Sequence, residues 1–144
     1  MKKIKRILTP LALALGVGLA SFAIPAHAQD ALQPETQNGV TYVSGGIGDG
    51  GIEAIQAAKK HYDLHLLFAV ERSGQYLADI QVSIENAKGD VVVKTVAGGP
   101  FFLAQLAPGK YRVTASNQGS SQTKPVVIRA GLPSELSFYW PAAS

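Results

Sequence analysis

Between residues 81 and 116 the chain reads QVSIENAKGDVVVKTVAGGPFFLAQLAPGKYRVTAS, and its apolar residues recur with a period of two. Val82 and Ile84 alternate with Gln81, Ser83 and Glu85. Tyr111, Val113 and Ala115 alternate with Lys110, Arg112, Thr114 and Ser116. Successive side chains on a strand point to opposite faces, so this pattern predicts strands with one buried and one wetted face. Lys88-Gly89 and Pro108-Gly109 interrupt the runs. Proline pre-sets φ and glycine accepts the positive φ that a type II turn needs, so each pair predicts a tight turn. The stretch therefore resolves into four short strands around which the rest of the chain must pack.

The flanks extend the same architecture. Residues 40–44 (VTYVS) are β-branched and aromatic, and predict a first strand. Residues 45–51 (GGIGDGG) form a glycine loop. Residues 52–61 (IEAIQAAKKH) then predict a helix, with Ile52, Ile55 and Ala58 on one stripe and Asp49 near the positive end. Residues 63–71 (DLHLLFAVE) are the longest apolar run outside the N-terminal segment. Both of their faces are apolar, which predicts a central strand. Residues 72–75 read as a turn and 117–123 as an exposed loop. Residues 124–129 and 135–140 are two further strands, the first with Pro125 near its start. The expectation is a mainly β protein: a single β-sandwich of about seven or eight strands, with one short helix after the first strand.

The first 28 residues read differently. Lys2, Lys3, Lys5 and Arg6 precede an apolar run from Leu8 to Ile24, and Ala26-His27-Ala28 closes it with small residues at the cleavage positions. This is the pattern of a secretory signal peptide, which predicts a periplasmic or secreted chain starting at Gln29 and no membrane span after cleavage. Residues 29–39 (QDALQPETQNG) are polar and read as a flexible leader, leaving 40–141 as the folded domain. Four of the thirteen basic residues lie in the signal segment. Nine then face ten acids, a mature net charge of −1. The alkaline character of the whole chain thus comes from its first residues, and no basic face points to nucleic acid. There is no cysteine, which excludes disulfides, thiolate metal sites and a lipidated cysteine.

The segment YLADIQVSIENAKGDVVVKTVAGGPFFLAQLAPGKYRVTA resembles the carboxypeptidase regulatory-like domain, a small transthyretin-like (prealbumin-like) sandwich. Ile80, Val82 and Ile84 match its first strand, Gly89 its hairpin glycine, and Leu106, Pro108, Gly109, Tyr111 and Val113 its leucine turn and P-G-x-Y-x-V run. The resemblance covers roughly residues 66–128. It implies a fold and no particular chemistry, since that group shares no active site.

Three features could carry chemistry. Gly46-Ile47-Gly48-Asp49-Gly50-Gly51 fits G-x-G-x-x-G between a strand and a helix, with the acid Glu71 twenty positions further on. Hairpins follow instead of the alternating helices of a dinucleotide fold, so a turn requiring positive φ is the plainer reading, and no cofactor is expected. An anion on the loop amides is the other alternative. His61, Asp63 and His65 share one side if their segment is extended, and two imidazoles with a carboxylate are a zinc or copper donor set. A helix ending near His61 would break that shared face. Phe101 and Phe102 follow a glycine pair; alternation buries one, and the other either packs beneath the opposite sheet or the helix, the plainer reading, or stands exposed as a contact residue. No serine, histidine or acid stands in a nucleophile motif, and the chain is not expected to be an enzyme. The expected function is an exported, non-catalytic module that binds a protein, peptide or glycan partner in the cell envelope. The alternative is a small periplasmic metal-binding protein or enzyme using His61, Asp63 and His65.

Overall fold

The computed structural model describes residues 32–143; the expected signal peptide at 1–28 lies outside them. Among the described residues nine strands form two sheets. One sheet contains β1 (Glu35–Gln37), β2 (Val40–Gly45), β3 (Leu64–Val70), β6 (Phe101–Ala104) and β9 (Ser134–Trp140), in the order β1-β2-β6-β3-β9. The other contains β4 (Ile80–Glu85), β5 (Val91–Ala97), β7 (Gly109–Asn117) and β8 (Ser120–Ile128), in the order β5-β4-β7-β8. Neighbours are antiparallel except β3 and β9, which run parallel. Helix α1 (Gly48–Ala58) and a 3-10 turn (Lys59–His61) link β2 to β3.

The chain is thus a mainly β sandwich with one short helix. The count is nine strands, above the expected seven or eight, and the helix follows the second strand. One hairpin adds a strand and a second lengthens two expected ones. Residues 35–37, expected to belong to a flexible leader, pair with β2, and Gln37 stands opposite Val40. The turn between them is Asn38-Gly39, with φ of 48° and 80°. Gln118-Gly119, with φ of 50° and 86°, joins β7 to β8 and turns most of the expected 117–123 loop into strand. Positive φ at both central residues is the two-residue turn whose twist matches a hairpin, and Asn-Gly is its strongest short signal. The helix starts at Gly48, ahead of the expected residue 52, and Ile55 is its buried residue.

Register fixes which residues are inside. Tyr42, Ala104 and Leu64 align across three strands, as do Ser44, Phe102, Leu66 and Leu136 across four. These rows face the second sheet. With Phe68, Phe138 and Trp140 they meet Ile80, Val82, Ile84, Val93, Val113 and Ile128 in one core. Tyr42 stacks on Phe102 at 5.4 Å between centroids, and Phe68 packs against Phe138 at 6.0 Å. The intervening rows point the other way. Val43, Phe101 and Leu103 meet Ile55 of α1 in a smaller cluster on the outer face of the first sheet. The fold therefore has three layers: helix, five-stranded sheet, four-stranded sheet.

The four-strand stretch does not stay in one sheet. β4, β5 and β7 belong to the second sheet, while β6 crosses to the first. Pro108-Gly109 therefore ends a crossing between sheets, and Gly109 takes φ of 153°, outside the expected type II geometry. Tyr111, half-buried against the core, donates its hydroxyl to the carbonyl of Ala107 at 2.7 Å and closes that crossing. The Lys88-Gly89 turn is as expected. Gly89 has φ of 85°, and Asn86 Oδ1 accepts from the amides of Lys88 and Asp90.

Candidate functional site

His61, Asp63 and His65 are not brought together. His61 is exposed at the end of the 3-10 turn, and its carbonyl accepts from Gln105 Nε2. Asp63 Oδ2 accepts the amide of Leu106 at 3.1 Å. His65 is buried on β3 beneath the turn. Its Nε2 lies 3.0 Å from the carbonyl of Lys59 and 2.9 Å from that of Tyr62. Two carbonyl neighbours require that nitrogen to carry the proton, so it donates and offers no lone pair to a metal. Nδ1 is buried without a hydrogen bond among the described residues and faces Glu135 Oε2 at 3.6 Å. The 3-10 turn breaks the extended geometry that would have aligned the trio. The His65 ring instead pins the helix layer to the sheet.

Of the two readings of Phe101-Phe102 the packed one holds, and neither ring is an exposed contact residue. Phe102 is 0% exposed and Phe101 8%. Alternation does send them to opposite faces, but both faces of β6 are covered, one by the second sheet and the other by α1. Tyr76 meets Phe101 edge-on at 5.4 Å, and Lys59 Nζ lies 5.5 Å from the ring centre. Sequence periodicity could not reveal this second cover, because it comes from a helix about fifty positions away.

The glycine loop is a packing device. Gly46 and Gly48 have φ of 101° and 75°. A Cβ on Gly46 would strike the ring of Phe101, and one on Gly51 would sit 3.4 Å from the Gly46 carbonyl carbon. Asp49 in the first turn already supplies the negative charge that the helix start favours. The loop also lifts Ile47 into solvent, at 66% exposure.

Ile47 stands between two concave surfaces. A cleft of about 460 Å³ lies on one side, reaching from Leu32 and Glu35 to Val96 and Gly98. A second of about 290 Å³ lies on the other, between Ile52 and Tyr76-Leu77-Ala78. Gly46 and Ile47 border both. Val96 and Tyr76 are 56% and 48% exposed. Neither the exposed isoleucine nor these two neighbours is apparent from the sequence, since β5, the glycine loop and the segment after β3 meet only in the fold.

A family described as the Rhizobiales growth-associated tandem repeat domain matches residues 63–138. That is more than half of the chain. The chain belongs to this family. No curated protein matches it. In this member of the Rhizobiales growth-associated tandem repeat family, the matched residues run from the start of β3 into β9. They hold the whole four-stranded sheet together with β3 and β6. β1, β2 and α1 precede them. The two clefts therefore join residues inside the matched segment (Tyr76, Val96, Gly98) to residues ahead of it (Glu35, Ile47). No helix among the described residues is long and apolar enough to cross a membrane.

Proposed function

We propose that this chain is an exported, non-catalytic β-sandwich module that works by contact with a partner in the cell envelope. The observation that carries the reading is the exposed apolar rim of Ile47, Tyr76 and Val96 around two adjoining clefts. Exposed apolar and aromatic side chains beside concave surface are what contact sites are built from. The basic, apolar and small-residue order of residues 1–28 supports export, to the periplasm or beyond. The Tyr111 hydroxyl bond at the Leu106-to-Tyr111 crossing supports the carboxypeptidase regulatory-like, transthyretin-like reading, because it gives that motif a structural task. The family's description associates it with growth, which suits a contact module of the envelope.

The test uses immobilised mature protein and an envelope extract. Wild type should retain a protein, peptide or glycan partner that Ile47→Asp does not. Melting should stay within about 0.5 kcal/mol, since Ile47 is exposed. Equal retention by both would overturn the reading.

A further inference from the structure

β1 and β5 are edge strands of the two sheets, and they come together on one side of the sandwich. Gln37 of β1 bridges them: its Oε1 accepts the amide of Lys94 and its Nε2 donates to the carbonyl of Lys94, each at 3.0 Å. Asn38 Nδ2 donates to the carbonyl of Val92 at 3.1 Å. A side-chain amide that gives one bond and takes one reproduces the contact of a paired strand. The outward carbonyl of Val92 and both outward backbone groups of Lys94 are thus engaged by surrogates. Alternation along the strand points those of Val96 the same way. No strand among the described residues covers them.

At Val96 the two edges separate, and the cleft of about 460 Å³ opens between Leu32 and Glu35 on one side and Val96 and Gly98 on the other. Among the described residues Glu35 is the one charged residue lining it. Tyr42 Oη donates to Glu35 Oε1 at 3.1 Å and itself accepts from Gln37 Nε2 at 2.7 Å. The carboxylate is therefore held at the mouth by the same residues that close the edge beside it.

We propose that this cleft binds a short extended peptide carrying a cationic group, added as a strand to Val96 with its cation against Glu35. The inference rests on the contact reading above and names its site and ligand class. Backbone bonds to an exposed edge supply affinity in strand addition, and flanking pockets supply selectivity. The open edge from Val96 to Gly98 takes three or four residues at about 3.3 Å each. Ile47 and Val96 offer apolar contact to the alternate side chains. The Glu35 carboxylate selects a lysine, an arginine or a free amino terminus over an acidic residue.

The experiment is an amide chemical-shift titration of the labelled mature protein with two blocked tetrapeptides, Lys-Val-Thr-Val and Glu-Val-Thr-Val. The lysine peptide should give saturable shifts centred on Val96, Gly98 and Glu35, and the glutamate peptide should bind about tenfold or more weakly. Val96→Pro removes the offered N–H and should abolish binding. An edge strand accommodates the ring, as Pro125 does on the edge strand β8. Val96→Lys, which leaves the backbone intact and repels the cation, serves if the proline variant melts early. Glu35→Gln should erase the preference between the two peptides. Absence of saturable shifts, shifts centred elsewhere, or unchanged binding in both Glu35→Gln and the folded Val96 variant would overturn the proposal. If Ile47→Asp loses the envelope partner while Val96→Pro and Glu35→Gln keep it, the contact reading stands and the cleft proposal falls.

Discussion

Tyr111 ties the start of β7 to the loop that leads into it. It sits on β7 just after the chain has crossed between the sheets, and its hydroxyl reaches back four positions to Ala107. Burial, and secondarily the carboxylate of Asp63, hold its phenol above the ordinary value of 10.0. Phenylalanine at this position keeps the ring and removes the bond, so Tyr111→Phe should lower stability by about 1 kcal/mol at neutral pH. The pH dependence has a definite sign. Below pH 10 the phenol is protonated in both states and its contribution is complete. As pH rises from the unfolded value through the raised folded one, the unfolded chain releases its proton first and the contribution is lost. Denaturant melts of wild type and Tyr111→Phe from pH 8 to 11.5 should therefore converge at the alkaline end. Tyr62, raised by burial alone, remains in both. A constant gap across that range would mean that the hydroxyl bond does not contribute. Tyr111→Ala should cost less than the about 3–5 kcal/mol of a fully buried aromatic, because the ring is only half covered.

At the scale of elements, the tightest joint is where the end of β2 meets the loop before β6. A Cβ on Gly99 would run into the backbone of Gly45, while Ser44 Oγ accepts the Gly99 amide and donates to the Phe101 carbonyl. Backbone cannot step aside as a flexible side chain can. Gly99→Ala should therefore lose about 3 kcal/mol, the upper part of the usual overpacking range. Gly98→Ala, which meets nothing within 4 Å, should stay within about 0.5 kcal/mol. Chemical denaturation of the pair measures the contrast, and equal effects would mean that the joint is loose. Nothing in the sequence separates these adjacent glycines, and this marks the boundary of what was legible. Alternation placed Val82, Ile84, Val113, Phe138 and Trp140 on the inner face correctly, because a period of two is a property of each strand alone. The two positive-φ hairpins look like leader and loop in the sequence, since their flanks are polar and carry no apolar alternation. The crossing at Pro108-Gly109 was mistaken for a local turn, because sheet membership is decided by partners distant in sequence. The Ile47 rim and the Glu35–Val96 cleft were invisible for the same reason. The aligned metal trio dissolved because a 3-10 turn rotates His61 away from the strand that carries His65.

For the whole molecule, the three layers imply two degrees of stability. The core between the sheets draws on eight of the nine strands, whereas the helix is held by a small cluster around Val43, Ile55, Phe101 and Leu103 and by the His65 bonds to the 3-10 turn. Protein segments with fewer buried contacts open at lower free energy than the global core. Amide exchange in α1 should consequently be faster than in β3, β4 and β7, and it should report opening of the helix layer alone. Ile55 is 0% exposed and is the one buried residue of the helix. Ile55→Ala should weaken its layer by about 2–5 kcal/mol, the usual range for such a truncation. If the layers are separable, protection falls sharply in α1 and the 3-10 turn while β4 and β7, in the far sheet, exchange nearly as before. Equal loss of protection in every strand would show instead that the helix unfolds only with the sandwich. The distinction bears on function, because Ile47 stands at the start of α1. A helix layer that opens independently can move one wall of both clefts without disturbing the sheets that carry Val96 and Glu35.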